Sequence, residues 1–167
     1  MQQTAWFKRS FPPIEDNGLL PAIIERLAGT PARVEEITRG LSPEQLVLKP
    51  GNKWSVKVQI GHLTDLEPLW LGRLEDLAAG LAELRVTDLT NQKTHNANHN
   101  ATELKTLQQL FRKQREAFVT RLLSVTDEEL SKSALHPRLK TQMRIIDLAW
   151  FVAEHDDHHL ASVRALI

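Results

Sequence analysis

Two histidines one helical turn apart, His155 and His159, interrupt an apolar stripe in the segment TQMRIIDLAWFVAEHDDHHLASVRALI that begins at residue 141. At 100° per residue, Ile145, Leu148, Val152, His155, His159, Val163 and Leu166 share one side of a helix, which directs both imidazoles toward a core. A buried ring nitrogen without a partner costs about 1–3 kcal/mol. A divalent cation answers both rings at once, because neutral imidazole is a metal ligand. The same angular count over 55–77 collects Ser55, Val58, His62, Leu66, Leu69, Arg73 and Leu77, and so turns His62 inward as well. A pair at i, i+4 on one helix and a single histidine on a facing helix make a three-nitrogen site. Its remaining coordination positions are open to water or substrate, as in catalytic metal centres.

Other readings of these residues stand beside that one. An imidazole on an apolar face also serves as a core residue bonded to a backbone carbonyl, and a bare H-x-x-x-H pair arises by chance. Within HDDHH, His158 is the rival ligand; it lies about 60° to one side of His155 and is expected at the rim. His95 and His99 have ligand spacing but fall in an asparagine-rich connection that reads as a solvated loop, and His136, before Pro137, reads as a turn residue. Asp65, one turn after His62, and Asp156, beside His155, are the candidate carboxylates for fixing imidazole tautomers or handling protons, with Glu154 and Asp157 as neighbours; ordinary helix-surface charge is the alternative. Trp54 either lines the mouth of the site or staples the start of its helix. The chain has no tyrosine, so acid and base work falls to a carboxylate, a histidine or metal-bound water.

Composition narrows the partners. Lysine plus arginine equals aspartate plus glutamate at 21 each, with no dense basic run, so neither nucleic acid nor a membrane surface is expected as a partner. There is no cysteine, which excludes disulfides, thiolate zinc sites and a cysteine nucleophile, and any metal must be held by nitrogen and oxygen. The opening stretch MQQTAWFKRSFPP lacks a long apolar run, and no segment approaches the roughly 18–20 apolar residues of a membrane span, so a cytoplasmic protein is expected. A length of 167 residues suits a single domain over 1–167.

The elements that must position the histidines read as helices. Asn17-Gly18 opens an apolar-periodic segment through Leu27, and Thr30-Pro31 restarts it to Gly40, as one bent helix or two. Ser42-Pro43-Glu44-Gln45 signals a short turn, and Ser55 caps a second long helix that ends near Gly80, with Pro68 expected to kink it. Residues 84–100 read as a long surface connection. Asn100 with Glu103 predicts a capping box for a third helix to about Ser124, Thr126 with Glu129 predicts another for a short turn, and Thr141 is the expected cap of the last helix. The sum is an all-α four-helix bundle with short helical turns in its connections.

The segment GNKWSVKVQIGHLTDLEPLWLGRL (51–74) resembles the W-S…G-H-L-x-D-x-E entry to the second helix of the DinB superfamily, and FVAEHDDHHLASV (151–163) resembles its H-D-x-H-H-L ending. The turns LSPEQL (41–46) and TDEEL (126–130) sit where such proteins carry short connecting turns, so the likeness extends over nearly the whole chain. The resemblance implies a DinB-like bundle, commonly a homodimer. It further implies that a divalent metal (zinc, nickel or iron) is bound through His62, His155 and His159. Trp70, Leu74, Trp150 and Ala153, at angles away from the histidine stripe, are the apolar side chains expected to serve such pairing. Fold does not choose among the activities found in that family. The leading expectation is a metal-dependent transferase that joins a low-molecular-weight thiol to a small electrophile. The alternatives are a metal-dependent hydrolase attacking with metal-bound hydroxide, and a non-catalytic metal-binding or dimeric structural protein.

Overall fold

The computed structural model describes residues 3–167; the expectation drawn from the opening stretch also covers Met1 and Gln2, which lie outside the described residues. The chain forms a four-helix bundle. Its first pillar is split into α1 (Leu20–Ala28) and α2 (Thr30–Thr38); the others are α4 (Val56–Ala78), α6 (Leu104–Leu123) and α8 (Ile145–Arg164). Short helices α3 (Pro43–Val47), α5 (Gln92–Asn96) and α7 (Asp127–Ser131) lie in the connections. α4 packs on both α6 and α8, and α1 closes the bundle against α6 and α8. Among the described residues no helix is long and apolar enough to cross a membrane.

Local chemistry accounts for most boundaries. Ser55 Oγ accepts from Val58 N at 3.3 Å to start α4, and reciprocal capping boxes start α3 at Ser42–Gln45 and α7 at Thr126–Glu129. α4 continues unbroken through Pro68 and stops just before Gly80, whose φ of 73° is left-handed.

Three expected caps are replaced by tertiary contacts. Thr30 does not cap α2; its hydroxyl donates to Asp156 Oδ2 at 2.9 Å. Asn100 forms no box with Glu103, because its Oδ1 accepts from Ser55 Oγ at 2.6 Å, and α6 starts without a side-chain cap. Thr141 does not cap α8. The residues after it form β2 (Gln142–Arg144), which pairs antiparallel with β1 (Ser133–Leu135), and α8 begins only at Ile145, where Asp147 Oδ2 accepts from Arg144 N at 2.9 Å. Three-residue strands are too short to show a period of two, so the pattern gave no sign of this small sheet.

The apolar core has two parts. One gathers Leu27, Trp70, Leu74, Phe118, Phe151 and Val152; the other gathers Val34, Ile60, Leu63, Phe111, Leu160 and Val163. Along α8 the change from one to the other falls between Ala153 and Leu160, the stretch that carries His155 and His159. Trp70, Leu74 and Ala153, expected on an outer pairing face, are instead 3%, 0% and 0% exposed inside the monomer, and Trp150 is half-buried against the same cluster. These four side chains are thus packed within the bundle, and they supply no argument for a homodimer.

Candidate metal centre

α4 and α8 bring His62, His155 and His159 together, all buried, with one ring nitrogen from each lying within 4.8 Å of the others. Ring centroids are 5.4 Å apart for His62–His155, 4.8 Å for His62–His159 and 4.4 Å for His155–His159. Burial pulls the His62 pKa down to about 4, and burial with neighbouring imidazoles holds His155 and His159 well below the usual range. At neutral pH all three rings are therefore uncharged, the form that carries a lone pair for a cation.

The outward nitrogens reveal which lone pairs face the centre. Thr94 Oγ1 donates to Asp65 Oδ2 at 2.8 Å, so its bond with His62 Nδ1 at 3.0 Å must come from a ring N–H. His159 Nδ1 stands 2.5 Å from Gln59 Oε1, an acceptor, and so it also carries the proton. Both arrangements leave Nε2 unprotonated and turned inward. His159 Nε2 and His155 Nε2 lie 3.1 Å apart, while His155 Nδ1 is buried without a hydrogen-bond partner among the described residues. Two facing imidazole nitrogens at that spacing require a shared proton or a cation between them. Ligands held at about 2.0–2.1 Å around a tetrahedral ion are about 3.3–3.4 Å apart, so the donor set fits a divalent metal.

The candidate carboxylates divide. Asp65 is linked to His62 through Thr94, and its Oδ2 also faces His99 Nε2 at 2.8 Å. Asp156, fully buried, lies in a different network, bonded to Thr30 and to both Nη atoms of Arg115, which in turn grips Glu67 at 2.5 Å. Its expected role in tautomer control or proton handling is corrected: its oxygens are committed to a structural charge cluster joining α8, α6 and α4. Glu154 and Asp157 pair with Arg26 on the half-buried flank.

Several residues were placed differently by sequence reasoning. His99 is 8% exposed, not a solvated loop residue; a Cβ at position 61 would collide with its ring, so Gly61 is what admits it to Asp65. His136 stands in the turn between β1 and β2, as expected, yet it is 2% exposed and its Nε2 lies 3.0 Å from Arg73 Nη1. Gln59 and Thr94 were not singled out at all. A glutamine three residues before His62, within an apolar run, was the one available signal for the first, and the connection 84–100 held none for the second.

Trp54 lies over the centre, 4.8 Å from the His62 ring and stacked on His159 at 6.2 Å. It forms part of the wall of a cavity of about 350 Å³ that all three histidines line. His158 lines this cavity as well, beside the cluster and outside the set of converging nitrogens, and its Nδ1 lies 2.9 Å from Gln3 Nε2. Because that amide nitrogen donates, the His158 ring proton sits on Nε2.

The model of the DinB superfamily matches residues 26–163, and the chain belongs to that superfamily. A solved structure shares the fold: YfiT from Bacillus subtilis, described as a probable metal-dependent hydrolase with an unusual four-helix bundle topology. It aligns with a TM-score of 0.80 at 19% identity, covering 94% of this chain and 91% of that one. No curated protein matches the chain by sequence.

Proposed function

We propose that this protein is a divalent-metal-dependent hydrolase of small molecules, with His62, His155 and His159 as the metal ligands. The observation that carries the reading is the inward convergence of three uncharged imidazoles, two of them fixed in tautomer by Gln59 and Thr94, on the wall of a cavity. Among the described residues no fourth His, Cys, Asp or Glu joins the cluster, as a closed structural site would require. The metal, when bound, supplies Lewis acidity, polarising a carbonyl and acidifying a nucleophile. This chain's own residues do the rest. Trp54 and Trp70 cover the centre and exclude water, Thr94 and Asp65 hold the His62 proton on Nδ1, and the neutral His158 ring stands at the cavity wall with its Nε2–H as a hydrogen-bond donor to a substrate oxygen. The description carried by YfiT agrees with this reading.

Thiol transfer is the second reading, favoured by the size and apolar lining of the cavity, which has room for a low-molecular-weight thiol beside a small electrophile. The test loads the purified protein with zinc, nickel or iron and follows hydrolysis of simple esters and amides in parallel with thiol consumption by an electrophile. Hydrolysis that requires metal and disappears in His62→Ala is the expected result. Metal-dependent thiol consumption without hydrolysis would select the transferase, and equal rates for wild type and variant in both assays would overturn catalysis at this site.

A further inference from the structure

The cavity continues from the histidine cluster to a second polar group that the hydrolase reading does not use. Arg73, from the inward stripe of α4, and Arg138 and His136, from the turn between β1 and β2, line its other part. Trp70 links the two regions, its ring centroid 5.5 Å from that of His155 and 5.7 Å from the Arg73 guanidinium carbon, so one small molecule can touch both.

Hydrogen-bond donors outnumber acceptors at this end. His136 Nδ1 accepts from the backbone N–H groups of Arg138 and Leu139 at 3.2 and 3.1 Å, which puts the ring proton on Nε2. That nitrogen faces Arg73 Nη1 at 3.0 Å, so a donor meets a donor. Arg138 Nη2 is buried and lacks a hydrogen-bond partner among the described residues, as does the indole N–H of Trp70. Arg73 spends Nε and Nη2 on the carbonyl of Arg85. The nearby carboxylate, Asp76, is taken by Arg85 at 2.6 Å, and among the described residues no ion pair reaches either Arg73 or Arg138. Asp88 also borders the cavity, but its oxygens accept from Thr90 and Gln92 on the exposed side. Burial pulls Arg73 down to about 10, offset in part by Asp76 and deepened by the neighbouring Arg138 and Arg85, and burial lowers Arg138 as well.

Two neighbouring guanidiniums that border one cavity and keep N–H groups without an acceptor, beside an imidazole N–H, suit the planar, twofold acceptor set of a carboxylate. We propose that Arg73, Arg138 and His136 anchor a carboxylate on the substrate, whose apolar body lies along Trp70 and Phe151 toward the three histidines. The inference rests on the metal-dependent reading for the reacting end of the substrate, but the anchor itself does not require the metal.

That independence sets the experiment. Phenylpropionate and its uncharged match, phenylpropionamide, are titrated calorimetrically into the metal-loaded protein, into His62→Ala, and into Arg138→Gln and Arg138→Lys, with thermal melts to verify folding. Arg138 is half-buried at a turn, so its variants should fold where a change at the buried Arg73 could fail. The acid should bind about tenfold or more tightly than the amide, keep that preference in His62→Ala, lose it in Arg138→Gln and regain part of it in Arg138→Lys. An acid that binds no tighter than the amide overturns the anchor. So does a preference that survives Arg138→Gln and vanishes in His62→Ala, which would put the carboxylate on the metal. Failure of the metal reading is read separately, as metal content unchanged by His62→Ala.

Discussion

Replacing Gln59 by leucine probes the centre without touching a ligand. Gln59 is 8% exposed, and its amide oxygen, 2.5 Å from His159 Nδ1, is the acceptor that keeps the ring proton on the outward nitrogen. Leucine fills similar volume but offers no acceptor, so the variant must either leave a buried N–H unpaired, at about 1–3 kcal/mol, or move the proton to Nε2. The second course aims an N–H at the position where a cation would bind. Loss of such an orienting partner weakens metal affinity by about ten- to a hundredfold, equivalent to about 1.4–2.7 kcal/mol. Competition against a chromophoric chelator at neutral pH measures the affinity, and denaturant unfolding of the metal-free protein measures the stability change alongside it. A Gln59→Leu protein that folds and holds metal as tightly as wild type would refute the tautomer argument.

Acid should destabilise the metal-free protein well before its carboxylates protonate. His62 and His136 each have a folded-state pKa pulled to about 4 from 6.5. The unfolded chain therefore takes up protons that the folded chain refuses as pH falls from about 6.5 to 4, and each group removes up to roughly 3 kcal/mol across that window; urea melts at pH 7 and pH 5 measure it. Arg115→Met should lower stability by about 3–5 kcal/mol, since it strands Glu67 and Asp156 as buried carboxylates, Glu67 with a pKa already raised by burial; calorimetric melting checks this. Gly61→Ala should displace the His99 ring from Asp65, costing about 1–3 kcal/mol and weakening metal binding through Thr94 and His62, as the same melts and chelator competition would report.

The convergence of the three histidines was legible because helix periodicity reports direction. A 3.6-residue repeat is a local property, and His62, His155 and His159 each break an apolar stripe that is otherwise continuous. The groups that orient these rings were not legible. Thr94 and His99 reach the site on a connection whose polar composition reads as solvent-exposed, and only the missing Cβ of Gly61 admits His99 to Asp65. Asp156 illustrates the converse. Adjacent to His155 in sequence, it leaves the helix about 100° away, and Arg115 of α6, a residue without any local signal, claims it. His136 and Arg138 depend on a sheet of three-residue strands, too short to announce itself, and their meeting with Arg73 is a tertiary event.

The central claim, that three histidines hold one divalent metal with coordination left open, is tested most directly by metal content and ligand count. The account predicts one tightly bound ion per chain, X-ray absorption fitted by three imidazoles plus a non-protein ligand, and loss of stoichiometric binding in His62→Ala, His155→Ala and His159→Ala alike, each still helical by circular dichroism. Undiminished metal binding in any one of the three variants, or a fourth side chain in the coordination shell, would contradict it.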